Sequence, residues 1–543
     1  MMFTDSSRYS YGRPVVATTP WLERARVDLA RLVLCLVALA LSGPALAAGP
    51  AAPPNLAALP PAARAHGPAV DLPEPLGVAD VDRYRQIFRL QENGNWAAAD
   101  RLIDKLEDTR LMGHVLAQRY LHPTAYTSKF QELSEWLAKY ADHPQAPRIY
   151  ALALKRQPAG AAPPKEPEVP KVHKVGSHDP AWGDEGPHWQ NGLAAWRKGD
   201  MEKAAREFEA AANDEEATPW TQSGAAFWAA RAHLKARRPE LVSKWLRKAA
   251  EHPRTFYGQL ARRALGMETA FDWSIRPLTE SEARELEETK AGARALALLQ
   301  VGKLRLAEDE MQALLAQAGP ELAGALVSVS QLANLPSLSL KLGTMIQAQY
   351  GTVIATALYP VPGWEPEGGF TVDRSLMYAL MRQESGFNPD ARSGSGAAGL
   401  MQIMPETAAW IADEVPGYDG EPHKLTEPVT NMTLGQKYIA RLLEDPGVRG
   451  DLFLLAAAYN AGPGNLAKWR KEAGYDQDPL LFIESIPSRE TRFFIERVLA
   501  NLWIYRQRLG KPTPSLDAIA SGAWPVYDPQ EDASSGIARN VSN

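Results

Sequence analysis

From Asp80 to about Lys155, from His188 to about Tyr350 and from Val372 to Leu509, apolar residues recur at helical spacing. Alternating β-branched runs are nearly absent. A half-buried strand needs a period of two, whereas a helix buries i, i+3, i+4 and i+7, so the pattern predicts an all-α chain. The stretch ELSEWLAKYADHP is typical of it. With 45% hydrophobic and 23% charged residues, most of the 543 positions can take part in a buried core. That length favours three or four domains over one.

Two Pro-rich stretches interrupt the helical pattern. Residues 48–79 begin AGPAAPPNLAALPPAARAHGP and are expected to be flexible, and residues 157–187 contain PPKEPEVPKVHKVG and are expected to form a linker. They delimit an N-terminal helical region over 80–156, a second over 188–355 and a third over 356–510, followed by a Pro/Ser/Asp-rich tail over 511–543. Gly94-x4-Ala99-x3-Ile103 matches Gly199-x4-Ala204-x3-Phe208 and Gly302-x4-Ala307-x3-Met311. In each, Gly opens a helix, Ala lets a neighbouring helix approach, and a larger residue follows one turn on. That is the logic of TPR-like helix pairs stacked into a solenoid, and ordinary helical hairpins are the other reading. Either is a scaffold that by itself carries no chemistry.

Near the start, Leu32 to Leu41 (LVLCLVALAL) is unbroken and apolar, preceded by Arg24, Arg26 and Arg31 and followed by Ala45-Leu46-Ala47. A membrane span needs about 20 such residues. A positive flank, a short apolar core and a small-x-small site instead predict a signal peptide over 1–47, with an uncleaved anchor or a buried helix as the alternatives. Cys35, the one cysteine, follows Leu34, where lipidation would want a small residue. A single cysteine excludes a disulfide framework and a cysteine-based zinc site. The ten histidines show no ligand spacing, so neither metal nor cofactor is expected. A net charge of −5 offers no global basic field for nucleic acid or anionic lipid, and any membrane role is expected to end with export.

The chemistry is concentrated in residues 372–510. In VDRSLMYALMRQESGFNP, Leu376, Met377, Leu380 and Met381 recur at helical spacing and Glu384 falls on the same face, with Gly386 placed to end the helix. Desolvation and the negative end of the helix dipole both disfavour its anion. A carboxylic acid kept neutral at pH 7 suits general-acid cleavage of a glycosidic bond. A helix-terminal Glu turned to solvent is the bland alternative. Gly394-Ser395-Gly396-Ala397-Ala398-Gly399 satisfies G-x-G-x-x-G, but a dinucleotide site needs a preceding strand, and here a helix and a polar turn precede it. These glycines fit a tight turn that brings backbone close to a ligand. GLMQIMP and AYNAG then place single polar groups beside apolar ones, and Glu484 to Arg492 forms a charged turn before FFIERVLANLWIY.

Taken in order, RQESGFNP, GAAGLMQIMP, AYNAGPG and ESIPSRETR resemble the catalytic domain of soluble lytic transglycosylases, periplasmic enzymes that cleave peptidoglycan. WLAKYADHPQAPRIYALA and AAEHPRTFYGQLARRAL resemble that family's α-superhelical region. The resemblance implies an all-α fold: a TPR-like superhelix followed by a lysozyme-like, mainly α-helical catalytic domain. It implies Glu384 as the single catalytic acid/base and Ser385, Gln402, Met404, Tyr459 and Glu490 as cleft residues, with Asn460 either a contact or structural. Phe494 stands where the family pattern has tyrosine. A second pair, Glu484-Ser485, is set aside for lacking an apolar helix before it. The implied partners are peptidoglycan glycan strands, and cell-wall enzymes through the helical region.

The implied reaction breaks the β-1,4 bond between N-acetylmuramic acid and N-acetylglucosamine and closes a 1,6-anhydro ring without water. One carboxyl group then suffices where most glycoside hydrolases use two. A goose-type lysozyme-like hydrolase, with Glu490 or Asp390 as second carboxylate, and a non-catalytic cell-wall scaffold are the alternatives.

Overall fold

The computed structural model describes residues 70–169, 185–268, 271–415, 418, 420–472 and 478–528. The expected leader, residues 48–69, residues 170–184 of the expected linker and residues 529–543 lie outside them. Among the described residues there is no strand, and no helix is long and apolar enough to cross a membrane. The fold is all-α.

The first helices are α1 (Val78–Glu92), α2 (Trp96–Ile103), α3 (Met112–Tyr120), α4 (Phe130–Tyr140) and α5 (Ala146–Arg156). Then come α6 (Gly186–Arg197), α7 (Met201–Ala212), α8 (Pro219–Lys235), α9 (Pro239–Ala250) and α10 (Phe256–Ala264). They are followed by α11 (Glu280–Glu288), α12 (Lys290–Gln300), α13 (Leu304–Leu315), α14 (Pro320–Leu332), α15 (Pro336–Tyr350) and the single turn α16 (Ala355–Leu358). Most neighbours in sequence pack against each other as hairpins, the pairs α2/α3, α5/α6 and α10/α11 being the breaks.

The repeated glycines explain the hairpins. Gly94, Gly199 and Gly302 have φ of 69°, 77° and 77°, and each ends one helix and starts the next. The turns share one pattern: Asn95, Asp200 and Lys303 donate their N–H to Leu90, Ala195 and Leu298, five residues back. This is a Schellman cap, which needs a left-handed residue at the corner. The Ala of each motif (Ala99, Ala204, Ala307) is fully buried where the partner helix approaches. Two more corners have the same bond without glycine. Arg237 (φ 61°) and Asn334 (φ 50°) precede Arg238 and Leu335, which donate to His233 and Ser330. The corner therefore occurs five times, with Val242 and Ser339 buried at the position of the Ala, although Gly343 stands where the larger residue would follow Asn334.

The third region holds α17 (Arg374–Glu384), α18 (Pro405–Ile411), α19 (Pro428–Glu444), α20 (Leu452–Ala461), α21 (Pro463–Glu472), α22 (Pro479–Ser485), α23 (Arg489–Arg508) and α24 (Pro514–Ala520). Helix α23 is its axis, with 15 of its 20 residues buried and α17 and α20 packed along it. Residues 511–528 of the expected Pro/Ser/Asp-rich tail are part of this body. Leu516 and Ile519 of α24 are buried, Trp503 Nε1 donates to Ser515 Oγ at 3.0 Å, and Leu452 N donates to Pro525 O at 2.8 Å.

Helices α6–α10 share one hydrophobic core with α17–α24. Phe256 stacks on Trp503 with ring centroids 5.2 Å apart, and polar contacts fix the register. Tyr257 Oη donates to Glu484 Oε1 at 2.5 Å, Arg231 pairs with Asp478 at 2.6 Å, and Arg492 pairs with Glu185 at 2.9 Å. A second core joins α1–α3 to α11–α15, where Leu76 and Gln300 exchange two hydrogen bonds of 2.9 Å. Histidine spacing gave no sign of a cluster in this half. Yet the fold brings His114, His143 and Glu310 together, with one donor atom from each within 4.8 Å of the others. Arg294 covers both oxygens of Glu310, at 2.7 and 2.9 Å, so the group is a buried ion cluster.

Candidate active site

Glu384 is delivered by α17, whose two ends are both fixed. At the N-terminus Asp373 is buried, accepts from Ser375 N at 2.9 Å, and pairs with Arg506 of α23 through bonds of 2.8 and 2.6 Å. Capping and a buried, hydrogen-bonded ion pair together define where the helix begins. Leu376, Met377, Leu380 and Met381 are buried, but so is every residue from Ser375 to Arg382, so α17 is enclosed on all sides rather than along the one face their spacing predicts. Beyond Glu384 the chain reverses through Gly386 (φ 57°) and Phe387 (φ 65°). A fully buried phenylalanine in the left-handed region is strained, and the surrounding core holds it there.

The Glu384 side chain is half-buried. Burial, and secondarily the negative charge of Glu490, raise its pKa from 4.5 to about 8. Glu490 is exposed in the first turn of α23. The other carboxylate considered, Asp390, is turned outward and pairs with Arg305 of α13 at 3.2 Å.

The glycine-rich segment forms a compact double turn in which Ala398 bridges both Arg392 and Ile403. Among the described residues there is neither a strand nor a βαβ unit, and a helix precedes this turn, so the dinucleotide reading fails on geometry. Gly399 (φ 80°) is obligatory: a Cβ there would lie 2.0 Å from Leu425 O and 2.3 Å from Asn431 Nδ2. Asn431 of α19, fully buried, holds the turn. It accepts from Met401 N at 2.8 Å and donates to Ala398 O and Leu425 O at 2.9 and 2.8 Å. Sequence reasoning missed it, because an asparagine within an amphipathic helix gives no sign of which way it points.

This turn presents Gln402, half-buried with φ 46°, whose Nε2 donates to Gly399 O at 2.9 Å and Ala391 O at 3.1 Å. Met404 follows, half-buried, as N-cap of α18. Ser385 is buried and its hydroxyl bonds Leu400 O at 2.7 Å, tying the end of α17 to the same turn.

Tyr459, half-buried near the end of α20, donates from Oη to Met401 O at 2.8 Å. Burial, then the nearby Glu384, hold its phenol well above the ordinary value, so it stays neutral. Phe494, the departure from the family pattern, lies parallel to Tyr459 with centroids 6.3 Å apart and planes 11° apart. Asn460 accepts from Thr491 Oγ1 at 2.7 Å and locks α20 to the start of α23 beside Glu490.

Glu484 corrects one expectation. It does end an apolar helix, α22, and burial raises its pKa to about 7. Its carboxyl is spent on Tyr257 in the packed junction with α10, so position, rather than pKa, separates it from Glu384. A cavity of about 490 Å³, lined by Gln259, Arg262, Phe271 and Gln507 among others, lies at the opposite end of α23 from Glu490 and contains none of these residues.

Residues 365–481 match the family described as the transglycosylase SLT domain. A soluble lytic murein transglycosylase from Escherichia coli K12 is 40% identical over 148 residues, which is 27% of this chain and 22% of that protein. The sequence match thus spans about a fifth of the length of such relatives. The fold extends further. The 70 kDa soluble lytic transglycosylase of E. coli superposes with a TM-score of 0.51 at 18% identity, covering 84% of this chain and 76% of that one. An inactive mutant of the lytic transglycosylase Slt from Pseudomonas aeruginosa gives 0.50 at 21%, covering 80% and 73%.

Proposed function

We propose that this chain, whose residues 365–481 match the transglycosylase SLT domain family, is a periplasmic lytic transglycosylase acting on peptidoglycan glycan strands. The observation that carries this reading is the Glu384 carboxyl at the end of α17, half-open to solvent, within electrostatic reach of the Tyr459 phenol and with its pKa raised by burial to about 8. At neutral pH it holds a proton to give.

In the proposed reaction neutral Glu384 protonates the bridging oxygen between N-acetylmuramic acid and N-acetylglucosamine, and the bond from that oxygen to the muramoyl anomeric carbon breaks. The substrate's own N-acetyl oxygen relieves the positive charge left on carbon. Glu384, now a carboxylate, takes the proton of the C6 hydroxyl while that oxygen bonds the anomeric carbon. The acid is regenerated, a 1,6-anhydro ring closes, and water is not consumed. Apolar walls favour the neutral acid in the first step and make the carboxylate a stronger base in the second. Gln402, Met404 and Glu490 would contact saccharide. Ser385 and Asn460 would hold the turn and the α20–α23 junction. Tyr459, neutral and anchored to Met401 O, offers its ring face and hydroxyl oxygen beside the acid.

The test is mass analysis of products released from purified peptidoglycan by the full chain and by Glu384→Gln. Anhydro products, one water lighter than hydrolytic fragments and absent with the variant, are expected. Products with reducible ends would indicate a lysozyme-like hydrolase, with Glu490 as the water-activating group. Sacculus binding without products from the unmodified chain would indicate a scaffold.

A further inference from the structure

Of the large aromatic side chains among the described residues, Trp410 of α18 is the one left mainly exposed, at 58%. An isolated exposed hydrophobic residue is ordinary and needs no function. Trp410 is not isolated. Its ring meets Tyr438 of α19 edge-on, with centroids 6.5 Å apart and planes at 82°. Tyr438 in turn lies 5.4 Å from Tyr459, whose phenol is within electrostatic reach of Glu384. Trp410, Tyr438 and Tyr459 therefore form a row running from the open surface to the acid, and the two tyrosines are only half-buried along it.

The outer ring is also held in place. The Arg441 guanidinium lies 4.6 Å from the centre of the Trp410 ring. It projects from α19 three residues after Tyr438, on the same helical face. A ring already fixed by a cation and a neighbouring edge loses little freedom when a ligand stacks on it. The axial C–H face of a pyranose is apolar and slightly positive, the complement of an aromatic face. Arg441 adds a positive charge beside the ring, the sign that suits a strand whose stem peptides carry carboxylates.

We infer that Trp410 is an outer saccharide platform, on which a sugar of the peptidoglycan strand stacks one or two rings from the bond at Glu384. The inference rests on the function proposed above and adds a specificity for long strands.

The test uses peptide-free glycan strands of alternating N-acetylglucosamine and N-acetylmuramic acid. Their binding to the full chain carrying Glu384→Gln is measured by calorimetry, then repeated with Trp410→Ala, Trp410→Leu or Trp410→Tyr added. Stacking predicts a Kd about tenfold higher for Ala and Leu, and within about threefold of the parent for Tyr, because only a flat ring substitutes. With Glu384 intact, Trp410→Ala is expected to raise KM on long strands more than it lowers kcat. Unchanged affinity in Trp410→Ala, or Leu binding as well as Trp, overturns the platform while leaving the proposed function standing. A Glu384→Gln parent that binds no strand overturns both.

Discussion

The carboxylate of Glu490, in the first turn of α23, acts electrostatically on Glu384, the last residue of α17. Burial is the larger cause of the raised pKa and Glu490 the smaller. In the proposed reaction Glu384 acts as acid only when neutral, so kcat/KM should fall as pH rises through about 8. Replacing Glu490 by Gln removes a charge that resists ionisation of Glu384, so the alkaline limb should move to lower pH. A pH–rate profile of both proteins on soluble glycan checks this. A limb that stays in place or moves up would show that the two carboxylates are not coupled.

The same burial has a cost in stability with a definite sign. Between pH 4.5 and about 8 the folded protein holds a proton at Glu384 that the unfolded chain has released. Stability from this group is thus fully present below 4.5 and is lost as pH rises toward 8. Glu384→Gln removes that dependence. Its Tm should match the parent near pH 4 and exceed it near pH 9, with the difference growing in between. Thermal unfolding at several pH values measures it, and a Gln variant less stable than the parent at alkaline pH would contradict the burial.

The turn bearing Gln402 depends on one residue that cannot carry a side chain and one that must. Gly399→Ala would drive a methyl group into Leu425 O and Asn431 Nδ2 at a left-handed φ, and should cost at least about 3 kcal/mol. Asn431→Ala leaves Met401 N, Ala398 O and Leu425 O without their buried partner and should cost a similar amount. Both should lower kcat/KM well beyond the loss of folded protein, since the displaced turn carries Gln402 and the carbonyl that orients Tyr459. Urea unfolding together with activity per folded molecule separates the two effects.

Periodicity made the helices legible, because they follow from local spacing, but it predicted one apolar face for α17, which is in fact buried all round from Ser375 to Arg382. The hairpin corners were legible at Gly94, Gly199 and Gly302, where glycine advertises a left-handed φ. They were hidden at Arg237 and Asn334, where the same turn is imposed on ordinary residues. Contacts that join distant segments left no local trace: Glu490 on Glu384, Asn431 beneath the glycine turn, Tyr438 between Tyr459 and Trp410. Each is a product of how the helices pack. Glu484 shows the converse, for its dipeptide and its apolar helix imitate the site while Tyr257, far upstream in the chain, absorbs its carboxyl.

The ion cluster of the helical half was equally invisible, and its energetics can be tested directly. Glu310 accepts from Arg294 at 2.7 and 2.9 Å and lies 2.7 Å from His114 Nε2, while Arg294 also reaches Asp142 at 2.8 Å. His143 completes the group 3.9 Å from Glu310. Burial first, then the neighbouring His114 and Arg294, lowers its pKa to about 2, so it stays neutral. Glu310 is thus the anion that makes a buried guanidinium tolerable, and it ties α13 to both α3 and α12. Removing one partner of such a pair strands the other charge in a low-dielectric interior. Glu310→Gln should therefore destabilise by about 3–5 kcal/mol. A double variant that also replaces Arg294 with Met should recover part of that loss, because no charge is then left unpaired. Urea midpoints of the two variants against the parent decide it, and a double variant no more stable than Glu310→Gln would show that packing, rather than charge, holds this junction together.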